Sequence, residues 1–109
     1  MDIVLNSIFF SELDPAAVAA QGADFGYDGV DLCIRPGHPI DPENISRALR
    51  PAVAELHAAG LQCPLVTAPV DFSDPRDPAA EPLYAACAEA GVLRVKIGYC
   101  YYGEGEDYW

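Results

Sequence analysis

Short apolar runs alternate along this chain with longer stretches in which apolar residues recur every three or four positions. The runs are Ile3 to Phe9, Gly29 to Ile34, Leu61 to Ala68 and Val92 to Tyr99. Each is bounded by turn residues and has about the length of a buried strand. Between them, three sets of residues fall on one side of a helix: Val18, Gly22 and Phe25; Ile45, Leu49, Val53 and Leu56; Leu83, Cys87 and Ala90. That spacing predicts helices that pack on a sheet by a single face.

The punctuation agrees with the pattern. Asp-Pro occurs at Asp14-Pro15, Asp41-Pro42 and Asp77-Pro78, each time ahead of a helical stretch. An Asp carboxylate accepts the unpaired amides of a helix start, and Pro fits the first helical position. The stretches close near Gly26, Gly60 and Gly91, where glycine suits the left-handed turn that ends many helices. Pro51 interrupts the second pattern, so a kink is expected there, or a short turn followed by a helix that starts near Pro51.

The resulting order, β-α-β-α-β-α-β, defines an α/β class with a parallel sheet. Three helices on one side of four strands leave the other face bare, whereas parallel sheets bury both. The sequence ends at Tyr108-Trp109, where the pattern predicts a fourth helix. The expectation is a set of parallel βα units forming the first half of an eight-stranded barrel, in a truncated chain whose residues 1–109 make one partial barrel domain.

Composition narrows the function. A length of 109 residues suits one domain, and a hydrophobic content of 51% suffices for a core. Six basic against seventeen acidic residues give a net charge of -11, which repels a phosphate backbone and argues against a nucleic-acid partner. No apolar run approaches the roughly 20 residues of a membrane span, and no basic region precedes the apolar start. A soluble, cytoplasmic protein with reduced thiols at Cys33, Cys63, Cys87 and Cys100 is expected.

The segments Gly26-Tyr27-Asp28-Gly29-Val30-Asp31-Leu32, Arg35-Pro36-Gly37-His38 and Pro42-Glu43-Asn44 resemble the sugar phosphate isomerase/epimerase family, the xylose isomerase-like TIM barrels that include endonuclease IV. Asp31 stands where the family usually has Glu, and one Gly instead of two precedes His38. The resemblance spans nearly the whole chain. It implies a TIM barrel that moves a proton beside a substrate carbonyl with the help of a divalent metal (Mn, Mg, Co or Zn). The family's metal ligands lie on later strands, so the resemblance assigns no metal ligand and no catalytic residue to this sequence, and this chain alone is not expected to be active.

Strand alternation directs Val30, Leu32 and Ile34 toward the helices and Asp31, Cys33 and Arg35 toward the barrel interior. Arg94, Lys96 and Gly98 take the same inward side in the fourth strand. Asp31 and Lys96 are therefore expected to meet as a buried or half-buried ion pair, a scaffold feature more than a catalytic one. Arg35, at the C-terminal rim, suits a sugar oxygen, a carboxylate or a phosphate, or else a rim salt bridge. His38 suits a ligand contact, proton transfer or a simple loop role. Phe9, Phe10, Tyr99 and Tyr101 are placed to wall a sugar ring or to pack the rim. Arg35, His38, Phe9 and Tyr99 are the candidate substrate-binding residues. His57 receives no role.

The loop containing Asp71, Asp74 and Asp77 lacks the Gly and Glu of a calcium-binding hand. Gly98, Gly103 and Gly105 do not form a dinucleotide fingerprint. Two functions compete: a metal-dependent sugar or polyol isomerase or epimerase to which this chain contributes half a barrel, and a non-catalytic half-barrel that self-associates through its inner face as a homodimer; a third, endonuclease-like action on abasic DNA, conflicts with the acidic balance and the lack of a basic stripe along any helix.

Overall fold

The computed structural model describes residues 1–69, 74 and 76–98. Four strands, β1 (Val4–Asn6), β2 (Gly29–Cys33), β3 (Val66–Thr67) and β4 (Val95–Lys96), alternate with three helices, α1 (Pro15–Asp24), α2 (Ile45–Ala58) and α3 (Ala80–Ala90). The sheet order is β1-β2-β3-β4 and every pairing is parallel. A sequential parallel order requires each crossover to return on the same side, which lays the helices along one face. Neighbouring helices accordingly pack on each other, α1 on α2 and α2 on α3.

The core lies between that helix layer and the sheet. Val30, Leu32, Ile34 and Val66 meet Val18, Leu49, Val53, Leu56, Leu83 and Cys87 there. Leu49 and Leu56 are 0% exposed, and burying a leucine fully contributes about 1.5–3 kcal/mol. Gly22 brings α1 close to the sheet: a Cβ there would stand 3.0 Å from the Leu61 side chain.

The helix boundaries follow local capping chemistry. Asp14 caps α1, its Oδ1 accepting from the Ala17 amide at 2.8 Å. The chain leaves α3 through Gly91 at φ +74°, with Gly26 and Gly60 in the same left-handed region, as expected for helix-ending glycines. The second Asp-Pro behaves differently. Asp41 Oδ1 accepts from the amides of Glu43 and Asn44 at 2.9 and 2.8 Å, so Pro42 begins a turn and α2 starts only at Ile45. The helix then runs unbroken through Pro51, whose exposed position leaves the carbonyl deprived of its amide partner within reach of water.

The strands are shorter than the apolar runs. The first ends at Asn6, not Phe9, because Asn6 Oδ1 accepts from the Ile8 amide at 2.9 Å and turns Ser7–Phe10 into a 3-10 helix. In the third run only Val66–Thr67 forms a ladder, joined by an isolated bridge from Gln62 to Gly29. Pro64 between them has no amide to donate. The fourth run pairs at Val95–Lys96, and Tyr99 lies outside the described residues. Phe25, expected on the buried stripe of α1, is 63% exposed, since the helix ends at Asp24 and the ring stands past it.

Candidate functional site

Alternation places the residues that do not enter the core on the helix-free face, and the register aligns them. Asn6 is level with Asp31, while Cys33, Thr67 and Lys96 form the next row. Asn6, Cys33, Thr67 and Lys96 are each the last residue of their strand. Four polar or ionisable side chains thus stand at the C-terminal ends of four parallel strands, the end where ligand sites of such sheets are built.

A continuous hydrogen-bonded chain links most of them. Thr67 Oγ1 lies 2.9 and 2.8 Å from the two oxygens of Asp31. Asn6 Nδ2 donates to Asp31 Oδ2 at 2.9 Å, and Asn6 Oδ1 accepts from the Cys33 thiol at 3.3 Å. Ser7 Oγ accepts from the Cys33 amide at 2.8 Å. Asp31 is only 6% exposed. Burial raises its carboxyl above the ordinary value of 3.8, against the opposing pull of the Thr67 hydrogen bond, the Lys96 charge and Asn6. Burial also raises the Cys33 thiol; the Asp31 charge adds to that effect, and Arg35 and Lys96 oppose it.

Asp31 and Lys96 do not form the expected ion pair. Lys96 acts on the carboxylate only through its field. The reason is topology: β3 lies between β2 and β4, and its Thr67, level with Lys96, supplies the direct contact to Asp31. Lys96 itself is exposed on the last described strand.

The loop after β2 holds Arg35 and His38 together. The Arg35 amide donates to the Ile40 carbonyl at 3.2 Å and the His38 amide donates to the Arg35 carbonyl at 3.1 Å. Arg35 is half-buried, and its Nε is fully buried with no hydrogen-bond acceptor among the described residues. His38 is half-buried beside Ser7, Phe10 and Cys33, around a hollow of about 20 Å³, which has room for about one water and not for a sugar. Phe9 stands just beyond β1, 82% exposed. Tyr99 and Tyr101 lie outside the described residues, as do Cys100 and Asp71. Asp74 pairs with Arg76 on the surface, and Asp77 Oδ1 accepts from the Ala79 amide.

Asn6, Ser7 and Thr67 were not singled out by the sequence. Alternation along Val4–Asn6 would have placed Asn6 inward, but only the register reveals that Asn6 and Thr67 flank Asp31. Among the described residues no three His, Cys, Asp or Glu side chains gather to hold an ion. None of the described helices is long and apolar enough to cross a membrane. No protein-family model matches the chain, and comparison with curated proteins finds no similar sequence.

Proposed function

We propose that this chain is half of a (βα)8 barrel of the sugar isomerase or epimerase type, and that its helix-free face supplies part of a polyol-binding wall. One observation carries the reading. Asn6, Cys33, Thr67 and Lys96 end four consecutive parallel strands on the same face, with Arg35 and Phe9 just beyond. A hydroxyl-rich ligand is bound by such a mixture of donors and acceptors, with an aromatic ring against its C–H surface. In this reading Arg35 and His38 contact the ligand from one loop, and Phe9 bounds it beside β1.

Proton transfer and any metal belong to the strands that would complete the barrel, and no step is assigned to the residues of this half. The test is a ¹⁵N–¹H titration of the chain with neutral aldoses, ketoses and polyols. Shifts gathered at Asn6, Cys33, Arg35, His38 and Thr67 are expected. Shifts confined to the opposite end of the sheet, around Asp28, Gly29 and Gln62, would overturn the assignment, as would none at all.

A second reading, closure of the barrel by another copy, is favoured by the exposed apolar side chains at both ends of the strand order. Ile3 stands beside β1, and Leu93 and Ile97 flank β4. Light scattering that shows a dimer at micromolar concentration supports it; a monomer excludes it.

A further inference from the structure

The two outer strands of the sheet differ in charge. β1 pairs only with β2 and β4 only with β3, so each turns unpaired backbone groups outward. Leu5 lies in the core and Val95 packs against it, which by alternation assigns Ile3 on one edge, and Leu93 and Ile97 on the other, to the helix side. All three are exposed. The opposite side carries Arg94 and Lys96 at β4. At β1 it carries Asp2 and Val4, which line with Asp28 a hollow of about 240 Å³. Arg94 and Lys96 are two of only six bases, both are exposed, and neither forms an ion pair among the described residues.

We propose that two copies of this chain join by parallel pairing of β4 with the partner's β1, at two equivalent joints, with Arg94 set against the partner's Asp2. The proposal rests on the second reading above, closure of the barrel by another copy, and assigns its joint. Two sheets of four strands each supply eight, and about eight strands close around an interior that side chains just fill. Register selects the pairing. The row that holds Asn6, the end of β1, runs through Asp31 and reaches Arg94, two positions before the end of β4. Level rows thus drift toward the N-terminal ends across the sheet. A shear of about eight residues over eight strands carries the drift to about four residues per half. The row from Asn6 through Arg94 then meets the second chain at the partner's Asp2.

Both sides of the sheet match in this register. The partner's Ile3 falls level with Val95, between Leu93 and Ile97, so apolar groups meet on the helix side while base meets acid inside. A charge of -11 on each chain opposes association, and opposite charges at the joint offset it where the chains touch. The strand-end polar row is completed only by both chains, with Lys96 of one next along the rim to the partner's Asn6.

Sedimentation equilibrium on the full chain measures the joint. The native chain is expected to dimerise at micromolar concentration. Arg94→Glu and Asp2→Lys are each expected to raise the dimer dissociation constant about tenfold or more, and the two together to restore it. Arg50→Glu, on the exposed side of α2, is the control for net charge and is expected to have little effect. Asp2→Lys decides most, because it lowers the net negative charge and would strengthen a dimer governed by overall repulsion. All three positions are exposed, and circular dichroism checks that each variant keeps the fold. A monomeric native chain overturns the second reading and this joint together. A dimer indifferent to Asp2→Lys, one weakened equally by Arg50→Glu and Arg94→Glu, or one that the double variant fails to restore leaves the closure reading standing and overturns the joint.

Discussion

The Thr67 hydroxyl lies within 2.9 Å of both oxygens of Asp31 and stands where Lys96 was expected. A neutral donor, not a cation, holds this carboxylate on the sheet. The consequence is a carboxyl whose proton affinity is raised by burial. A group with a raised folded pKa contributes stability that is full below its unfolded value, here about the ordinary 3.8, and is lost as pH rises through the higher folded value.

Asp31→Asn therefore has a predicted sign. An amide can accept from Asn6 and donate to Thr67 while never carrying a charge. The melting temperature of the variant relative to the native chain is expected to increase as pH rises from below 3.8 toward neutrality. Asp31→Ala instead leaves Asn6 and Thr67 without their partner and is expected to cost about 1–3 kcal/mol. Thermal melts across pH check both, and a native chain that gains on Asp31→Asn with rising pH would contradict the burial effect.

Gly29 sets how closely β2 approaches the segment before β3. A Cβ at this position would lie 2.7 Å from the Gln62 carbonyl oxygen, and that carbonyl accepts from the Val30 amide at 2.8 Å. Backbone cannot swing aside as a side chain can. Gly29→Ala is expected to destabilise by about 1–3 kcal/mol, read as a lower midpoint in urea at an unchanged slope. An unaltered midpoint would mean that the two segments are not locked together.

How much of this could be read from the letters follows from what each signal measures. Of the three Asp-Pro signals only Asp14 caps a helix directly, while Asp41 and Asp77 make turns a few residues ahead of α2 and α3; Gly91 closes α3 within its own turn. Alternation assigned Val30, Leu32 and Ile34 to the core, because a strand's two faces need only one strand to define. Apolar runs overstated the strands, since Pro64 and the Asn6 side chain end pairing for reasons that hydrophobicity does not encode. The partner of Asp31 depended on register between strands, which no single run contains. Inward alternation in the second and fourth strands together with opposite charge points to Lys96, and neither signal reveals Thr67.

Core and rim substitutions should separate cleanly. Leu49 is fully buried where α2 meets the sheet, and Leu49→Ala is expected to cost about 2–5 kcal/mol by removing contacts and leaving a cavity. Phe9, almost fully solvent-exposed, should change stability by less than about 0.5 kcal/mol on substitution by Ala, while weakening any polyol shift at the strand ends. Urea midpoints and the polyol titration on both variants distinguish the roles. Loss of stability at Phe9 would place that ring in the fold and not at the rim.

The buried thiols offer the sharpest chemical test of the packing. Cys63 is pushed up to about 12 by burial, and Cys33 and Cys87 are also raised, chiefly by desolvation. Only a thiolate attacks an alkylating reagent. At pH 8 a thiol at its ordinary value of 9.0 is about one tenth ionised, whereas one near 12 is ionised to about one part in ten thousand. Cys63 is thus expected to react with iodoacetamide roughly a thousandfold more slowly in the folded chain than in guanidinium, even before access is considered. Peptide mapping after timed quenching resolves each cysteine separately. Because Cys63 and Cys87 sit in the same core cluster, they should become reactive together as denaturant unfolds the sheet and helices. Native-state labelling of Cys63 at the denatured rate would show that the layer of α2, α3 and β3 is not closed over it.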